Sequence, residues 1–261
     1  MIPINSRLPR LDELVEEVAV SVNINGINHA VMMATPDDLD DFAIGFLFVE
    51  GIIGGNHDVH DIQSTPSEHG IVLDITIANR CLAALGQRKR RLAGASGCGI
   101  CGVEAMEHAL PALTPLPPAE PFDTGRLRDL RDRIAPWQCK ARQSGALHAA
   151  LALDERGAIL ACREDIGRHN ALDKLIGMQL RQPVRAATLA ITSRCGSELI
   201  HKAVQFGAAH LISLASPSQL AVRLALKYNL TLIHVPRSDA PVCYASPRAQ
   251  DQFGDSHVQS Y

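Results

Sequence analysis

The sequence predicts a mixed α/β fold, and three observations support this prediction. In the second half of the chain, apolar segments with strand patterns alternate with helical patterns, and the connections between them are short. Near the N-terminus, Asn25-Gly26 separates two further strand patterns, as in a β-hairpin. Between these regions, residues 111–121 contain five prolines, which is typical of a linker or a rigid crossing. We therefore expect a smaller α+β domain over residues 1–120 and an α/β layered domain over residues 121–261.

Three strands are predicted in the N-terminal domain, after a loose arm over residues 1–10. Residues 17–24 and 27–34 flank the Asn25-Gly26 turn, and residues 71–77 alternate apolar and polar side chains.

A helix is predicted between the second and third of these strands. Thr35 can cap it, Pro36 suits the first helical position, and the acidic residues that follow favour the positive end of the helix dipole. Its apolar face includes Phe42 and Phe46, and we expect it to end near Gly51.

The C-terminal domain is predicted to alternate strands and helices around a layered sheet that is at least partly parallel. Strands are expected at residues 158–163, 187–192, 210–215 and 230–235, and helices at residues 169–177, 197–206 and 216–229. Ser216-Pro217 is expected to cap the last helix. Residues 146–153 are mostly apolar and fit either a strand or a helix.

Composition and charge argue against several classes of protein. The net charge of −3 gives no global reason to expect nucleic-acid binding. The N-terminus lacks the apolar core of a signal peptide, and the longest apolar runs, such as residues 42–49, are too short to span a bilayer. An odd number of cysteines, seven, without an export signal argues against a disulfide framework. We therefore expect a cytoplasmic protein that engages neither membrane nor nucleic acid.

Cys98 and Cys101 form the sharpest feature of the sequence. Two thiols at this spacing can bind a metal, form a redox disulfide, or act as a nucleophile and its partner. No second cysteine pair or spaced histidine pair follows, so a structural zinc ion would have to bridge two chains. A redox dithiol usually lies between a strand and a helix, whereas this pair lies in a glycine-rich segment. A sulfur carrier without a bound metal fits best, and the other two interpretations stay open.

The residues around the cysteine pair suit an accessible, activated thiol. Residues 94–102 contain four glycines, which predict a mobile loop able to reach two partners. The basic run Arg88-Lys89-Arg90-Arg91 and the amino end of a helix expected at residues 104–110 can lower the pKa of a thiol between them. A solvated surface is the other interpretation of the basic run.

Two polar clusters follow strands of the C-terminal domain, where α/β folds bind ligands. The first is residues 164–174; on a helix, His169 would face Asp173 and Asn170 would face Lys174. A capping and salt-bridge network is the alternative interpretation of this cluster.

The second cluster, residues 192–198, opens a helix whose amino end could hold phosphate, although it lacks the spacing of a P-loop. Arg168, Arg194 and Arg237 each follow a predicted strand, so they are the expected phosphate partners.

His148 invites comparison with zinc deaminases, in which a histidine is followed two residues later by a catalytic glutamate. Ala150 stands at that position here, and no Pro-Cys-x-x-Cys motif follows. The sequence therefore argues against hydrolytic deamination.

Together these segments resemble the formate dehydrogenase accessory protein family, FdhD. The resemblance is carried by Thr35-Pro36, residues 41–47 and 50–53, Cys98-Gly99-Ile100-Cys101-Gly102, residues 144–150, residues 163–174, residues 216–221 and residues 230–232. It spans about residues 13 to 244, with the strongest match over residues 163–174.

The resemblance implies a sulfurtransferase and assigns roles to particular residues. Members of this family are held to take persulfide sulfur from a cysteine desulfurase and pass it to the molybdenum bis(molybdopterin guanine dinucleotide) cofactor of formate dehydrogenase. Cys98 would carry the persulfide and Cys101 would assist. The cofactor would be a bound client, contacted by the last predicted strand end and the residues after it: Val235, Pro236, Arg237, Ser238, Asp239 and Ala240.

The resemblance also implies a C-terminal domain with the cytidine deaminase fold but without its zinc site, in agreement with Ala150. The expected partners are a cysteine desulfurase, formate dehydrogenase and a second copy of the chain, since homodimers are common among such α/β domains. Two alternatives remain: a cofactor-binding chaperone whose cysteines are not catalytic, and a zinc-bridged structural protein.

Overall fold

A computed structural model describes residues 14–86, 112–141 and 145–247 of the chain. In chain order its strands and helices are β1 (Val18–Ile24), β2 (Ile27–Ala34), α1 (Leu39–Val49), β3 (Val59–Ser67), β4 (Gly70–Ile77), α2 (Leu130–Ile134), β5 (His148–Leu153), β6 (Ile159–Asp165), α3 (Arg168–Leu180), β7 (Thr188–Ile191), α4 (Ser197–Phe206), β8 (His210–Ser213), α5 (Gln219–Lys227), β9 (Thr231–His234) and β10 (Val242–Ala245).

Six strands of the C-terminal half form one mixed sheet in the order β10-β9-β8-β7-β5-β6. The central strands β7, β8 and β9 are parallel, whereas β5 runs antiparallel to both β6 and β7, and β10 runs antiparallel to β9. Short fully buried strands such as Thr188–Ile191 fit this arrangement, because helices cover a parallel sheet on both faces. One face packs against α3, α4 and α5, and the other packs against α2 and the turn before it.

The four strands of the N-terminal half form a second sheet in the order β2-β1-β4-β3. The β1–β2 hairpin turns at Asn25 and Gly26, which both have positive φ, as a two-residue hairpin turn requires. Its β1 strand pairs in parallel with β4.

Helices α1 and α3 join the two halves of the molecule. A Cβ atom on Gly45 would overlap the carbonyl oxygen of Asp173, and one on Gly177 would overlap that of Asp41. The backbones of the two helices therefore touch where they cross. Buried apolar residues from both sides of this crossing belong to one hydrophobic core.

These observations confirm the α/β fold class. The expected start of α1 was wrong: the helix begins at Leu39, and Asp38, with a φ of 53°, occupies the cap position without a side-chain hydrogen bond. Thr35 bonds instead to the segment after β6, as described below. Ser218, rather than Ser216-Pro217, caps α5, since its hydroxyl accepts a hydrogen bond from the Ala221 amide.

Several predictions are not decided by these residues. The cysteine pair, the basic run and the helix expected at residues 104–110 lie outside the described parts of the chain. The domain boundary near residue 120 and the likeness to the cytidine deaminase fold stay predictions. Within the described residues, no helix combines the length and the apolar character needed to cross a membrane.

Candidate functional site at the carboxyl edge of the six-stranded sheet

Strands β6, β7, β8 and β9 all end at the same edge of the six-stranded sheet. A helix starts shortly after each of the first three, so the amino ends of α3, α4 and α5 lie along this edge. Helix amino ends carry partial positive charge and free amide donors. His148, the first residue of the antiparallel strand β5, lies at the same edge. We call this region the carboxyl edge.

A buried ion pair forms the floor of the carboxyl edge. Lys174 Nζ lies 2.7 Å from Asp165 Oδ2, and both side chains are fully buried. Lys174 also donates to the carbonyl oxygen of Thr35 at 2.9 Å, and the Thr35 amide donates to Asp165 at 3.1 Å. The Thr35 hydroxyl accepts a hydrogen bond from the Ile166 amide. This network fixes the turn before α3 and ties it to the N-terminal half.

Asn170 belongs to the same network: its amide donates to Asp165 at 3.1 Å and to the Met33 carbonyl at 2.8 Å. The predicted i,i+4 partners were wrong, because the four side chains concerned reach other elements. Lys202 Nζ lies within 2.7 Å of both carboxylate oxygens of Asp173. Burial nevertheless raises the pKa of Asp173 to about 6, against the lowering effect of Lys202. Much of residues 164–174 is thus structural, as the salt-bridge interpretation predicted.

Two arginines and a histidine lie together above this floor. Burial lowers the pKa of His148, and the charges of Arg168 and Arg194 lower it further, while Asp165 opposes them. His148 is therefore neutral at pH 7 and faces two permanent cations. Arg194 is exposed. The structure thus brings together two of the three predicted phosphate partners.

Glu198, in the first turn of α4, supplies a carboxylate at this position. Arg168 reaches one of its oxygens at 3.1 Å, and His169 Nε2 lies 3.2 Å from the same oxygen. Burial raises the pKa of Glu198, but hydrogen bonds from its own backbone amide and from Arg168 outweigh it and lower the pKa. The same neighbourhood lowers the pKa of His169, chiefly through burial and then the charges of Arg168 and Lys202.

Arg131 places another cation at the carboxyl edge. Its guanidinium donates to the carbonyl oxygens of Leu214, Val235 (2.6 Å) and Pro236 (3.2 Å), just beyond the ends of β8 and β9. Its acceptors are neutral, and it forms no ion pair with any described residue. Burial and the nearby charge of Arg237 both lower the pKa of Arg131. The third predicted phosphate partner therefore lies beside a cation that the sequence did not reveal.

The predicted cofactor segment follows β9 directly. Val235 is buried and donates its amide to the Ser213 carbonyl, whereas residues 237–240 are exposed. Arg131 fixes the start of this segment by donating hydrogen bonds to the carbonyl oxygens of Val235 and Pro236.

Four of the five described cysteines have a raised thiol pKa, and the fifth, Cys139, is exposed. Burial is the main cause that raises the pKa of Cys162 and of Cys195 to about 12. Burial also raises the pKa of Cys81 and of Cys243. Such thiols stay protonated at neutral pH and are poor nucleophiles. Among the described residues, no group of three or more His, Cys, Asp or Glu side chains could hold a metal ion.

Sequence reasoning missed Arg131 and gave no role to Glu198. Arg131 lies in a short segment of alternating acids and arginines, which resembles any solvated helix. Glu198 was visible as an acid in the first turn of a helix, but its contact with Arg168 joins residues 30 positions apart.

The six-stranded sheet gathers cations and helix amino ends at one edge, an arrangement that suits anion binding in α/β proteins. The model of the FdhD/NarQ family matches residues 15–250, so the chain belongs to the FdhD/NarQ family. The resemblance inferred from the sequence is thereby confirmed.

Curated relatives match over most of their length. A protein named sulfur carrier protein FdhD from Cupriavidus necator is 40% identical over 239 residues, which cover 91% of this chain and 83% of the relative. A protein of the same name from Bordetella parapertussis is 36% identical over 239 residues, covering 91% and 87%.

A solved structure has a similar fold. The crystal structure of a candidate formate dehydrogenase accessory protein from Desulfotalea psychrophila matches with a TM-score of 0.66 and 21% identity. The match covers 90% of this chain and 89% of the other. At this identity the likeness concerns the fold.

Proposed function

We propose that this protein is a sulfur carrier that acts as a sulfurtransferase in the maturation of formate dehydrogenase. It takes persulfide sulfur from a cysteine desulfurase and passes it to the molybdenum bis(molybdopterin guanine dinucleotide) cofactor. Membership of the FdhD/NarQ family, with relatives named as sulfur carriers at 36% identity or more, is the observation that carries this proposal.

Cys98 is the proposed carrier. Its thiolate attacks the outer sulfur of the desulfurase persulfide; the S–S bond there breaks, and the desulfurase thiolate leaves. The outer sulfur is then bonded to Cys98 as a new persulfide. Burial raises the pKa of four of the other thiols, and Cys98 and Cys101 are the one closely spaced cysteine pair in the sequence, which makes this pair the natural candidate.

Cys101 can assist in the release of that sulfur. Attack of its thiolate on the inner sulfur would form a Cys98–Cys101 disulfide and expel the outer sulfur as sulfide. The two electrons that reduce the sulfur come from the thiol pair, which is oxidised to the disulfide.

The carboxyl edge is the proposed binding place of the guanine dinucleotide. A dinucleotide carries pyrophosphate groups, and guanidinium groups with helix amides are the donors that such groups prefer. Arg131, Arg194 and Arg237 pair with no described carboxylate, so their charge is available to an anionic ligand. The exposed segment at residues 237–240 adjoins these cations and suits contacts to the client.

Three partners are proposed. They are a cysteine desulfurase as sulfur donor, formate dehydrogenase as recipient of the cofactor, and a second copy of the chain. On this proposal, all of these partners meet the protein in the cytoplasm.

Restoration of formate dehydrogenase activity in cells that lack their own carrier tests the sulfur-transfer role. The wild type should restore activity, and Cys98→Ala should not, although it should bind guanosine diphosphate as the wild type does. A Cys98→Ala protein that restores full activity would favour the second candidate function, a cofactor-binding chaperone, which the uncompensated arginines also fit.

Calorimetry with guanosine diphosphate tests the binding role. A charge-assisted arginine–phosphate contact contributes about 1.5–3 kcal/mol, so Arg237→Ala should weaken binding about tenfold or more. Arg185→Ala is a suitable control, because Arg185 is an exposed arginine that precedes β7, at the opposite edge of the sheet. Equal affinity of Arg237→Ala and the wild type would remove Arg237 from the site.

A further inference from the structure

We infer that the carboxylate of Glu198 is a built-in competitor: it occupies an oxyanion pocket at the amino end of α4, and a phosphate group of the ligand displaces it. This inference rests on the proposed binding of a phosphate-bearing client at the carboxyl edge and names the regulation of that site.

The donors around Glu198 are those of a phosphate pocket. They comprise one guanidinium, one imidazole, one hydroxyl and one helix amide. Arg168 donates through Nε at 3.3 Å and Nη2 at 3.1 Å, His169 Nε2 lies at 3.2 Å, and the Ser197 hydroxyl lies at 3.5 Å. The backbone amide of Glu198 completes the set. These four donor types belong to different residues yet converge on one carboxylate.

Gly196 makes room for this anion. A Cβ atom on Gly196 would overlap both carboxylate oxygens of Glu198, so the side chain lies flat over the turn that precedes α4. The anion therefore occupies the space directly above the helix amino end, where an external oxyanion would also bind.

The ion pairs that hold the Glu198 carboxylate are weak enough for a ligand to displace it. The side chains of Arg168 and Glu198 are 35% and 34% exposed, and ion pairs of this exposure contribute little net stability. Asp165 and Asp173, in contrast, are buried and held by lysines. A phosphate group brings more negative charge and more acceptor oxygens than one carboxylate, so it can replace Glu198 on Arg168 and His169.

Phosphate binding by Glu198→Gln tests this inference, because glutamine keeps the shape and removes the charge. We expect the variant to bind guanosine diphosphate and inorganic phosphate roughly two- to fivefold more tightly than the wild type, the range set by an exposed ion pair. Guanosine, which has no phosphate, should bind both proteins equally. In the background of Arg168→Gln, the same substitution should give no gain.

Asp123→Asn is the matched control, since it removes one carboxylate that pairs with an arginine at 3.2 Å. Asp123 follows Phe122, whose ring contacts His210 at the start of β8, so it lies at the opposite edge. Asp123→Asn should leave the affinity for guanosine diphosphate unchanged. Melting temperatures of all variants show whether a change in affinity comes from a change in folding. Glu198→Ala serves as a second variant that removes the carboxylate.

Two failures can be told apart. Wild-type protein that binds no guanosine diphosphate argues against the proposed client site, whereas the ratio between Glu198→Gln and wild type for inorganic phosphate judges the pocket. Unchanged or weaker phosphate binding by a well-folded Glu198→Gln protein overturns the inference and makes Glu198 a residue that orients Arg168. Absence of phosphate binding by every variant overturns it as well.

Discussion

At the residue scale, Asp165 has the largest expected effect on stability. It accepts hydrogen bonds from Lys174, Asn170, Thr35 and the Gly167 amide, and it is fully buried. Replacement of Asp165 by Ala would leave the charge of Lys174 buried without a partner, which costs about 3–5 kcal/mol. Chemical denaturation should show that loss, and Asp61→Ala, at an exposed position, should change stability little. A wild-type midpoint for Asp165→Ala would show that the network does not hold the halves together.

His148 should make stability depend on pH. Burial is the main cause that lowers the pKa of His148 below its ordinary 6.5. The charges of Arg168 and Arg194 lower it further, and Asp165 opposes the shift. Below pH 6.5 the unfolded chain therefore takes up a proton that the folded protein resists, so stability falls as the pH falls through that window. His169 and His201 act in the same direction, whereas Asp173, with a pKa raised to about 6, gains a proton in the folded state and acts in the opposite direction.

Melting curves at about pH 7.5 and about pH 6 measure this dependence, since the ordinary histidine pKa lies between them. His148→Gln should lose less stability than the wild type over this interval. His69→Gln, at an exposed position, should behave as the wild type. An identical loss in all three proteins would mean that His148 titrates normally.

At the scale of elements, the crossing of α1 and α3 depends on two glycines. A methyl group on Gly45 or Gly177 would meet backbone atoms of the other helix, which cannot yield as a side chain can. Gly177→Ala should therefore destabilise the fold by about 1–3 kcal/mol or more, although alanine is the better helix former. Gly86→Ala is the control, because nothing lies within 4 Å of a Cβ atom at that position. Equal melting temperatures for both variants would contradict the close crossing.

Elements with strong local signals were predictable from the sequence. The expected bounds of β2 and α4, residues 27–34 and 197–206, are those of the structure, because a turn or a glycine limits each. Strand β3 was missed, since Val59 and Ile62 are its sole large apolar residues and Pro66 interrupts it, as an edge strand allows. Strand β10 was missed because it is short, exposed and at the other sheet's edge.

The site was predictable in part: features that depend on long-range contacts could not be predicted from the sequence. Arg168, Arg194 and Arg237 could be chosen because each follows a strand, and parallel strands end together. The start of α1 could not, because Thr35 is engaged by Asp165, 130 residues away, instead of capping its own helix. No local pattern shows such a contact.

At the scale of the whole molecule, the two halves meet at the site. Thr35 and Met33, from the N-terminal half, supply acceptors to Lys174 and Asn170 beneath the carboxyl edge. The N-terminal half also contains the sequence that leads to Cys98. On the proposed function, the half whose sequence contains the carrier cysteine would be tied to the client-binding half through this buried network.

Localisation of the transferred sulfur tests the central claim most directly. The wild type, Cys98→Ala and Cys101→Ala are each incubated with a cysteine desulfurase and cysteine, and their peptides are mapped by mass spectrometry. We expect one extra sulfur atom on Cys98 in the Cys101→Ala protein and none in the Cys98→Ala protein. Normal loading of Cys98→Ala, together with its full activation of formate dehydrogenase, would contradict the assignment of Cys98 as the carrier.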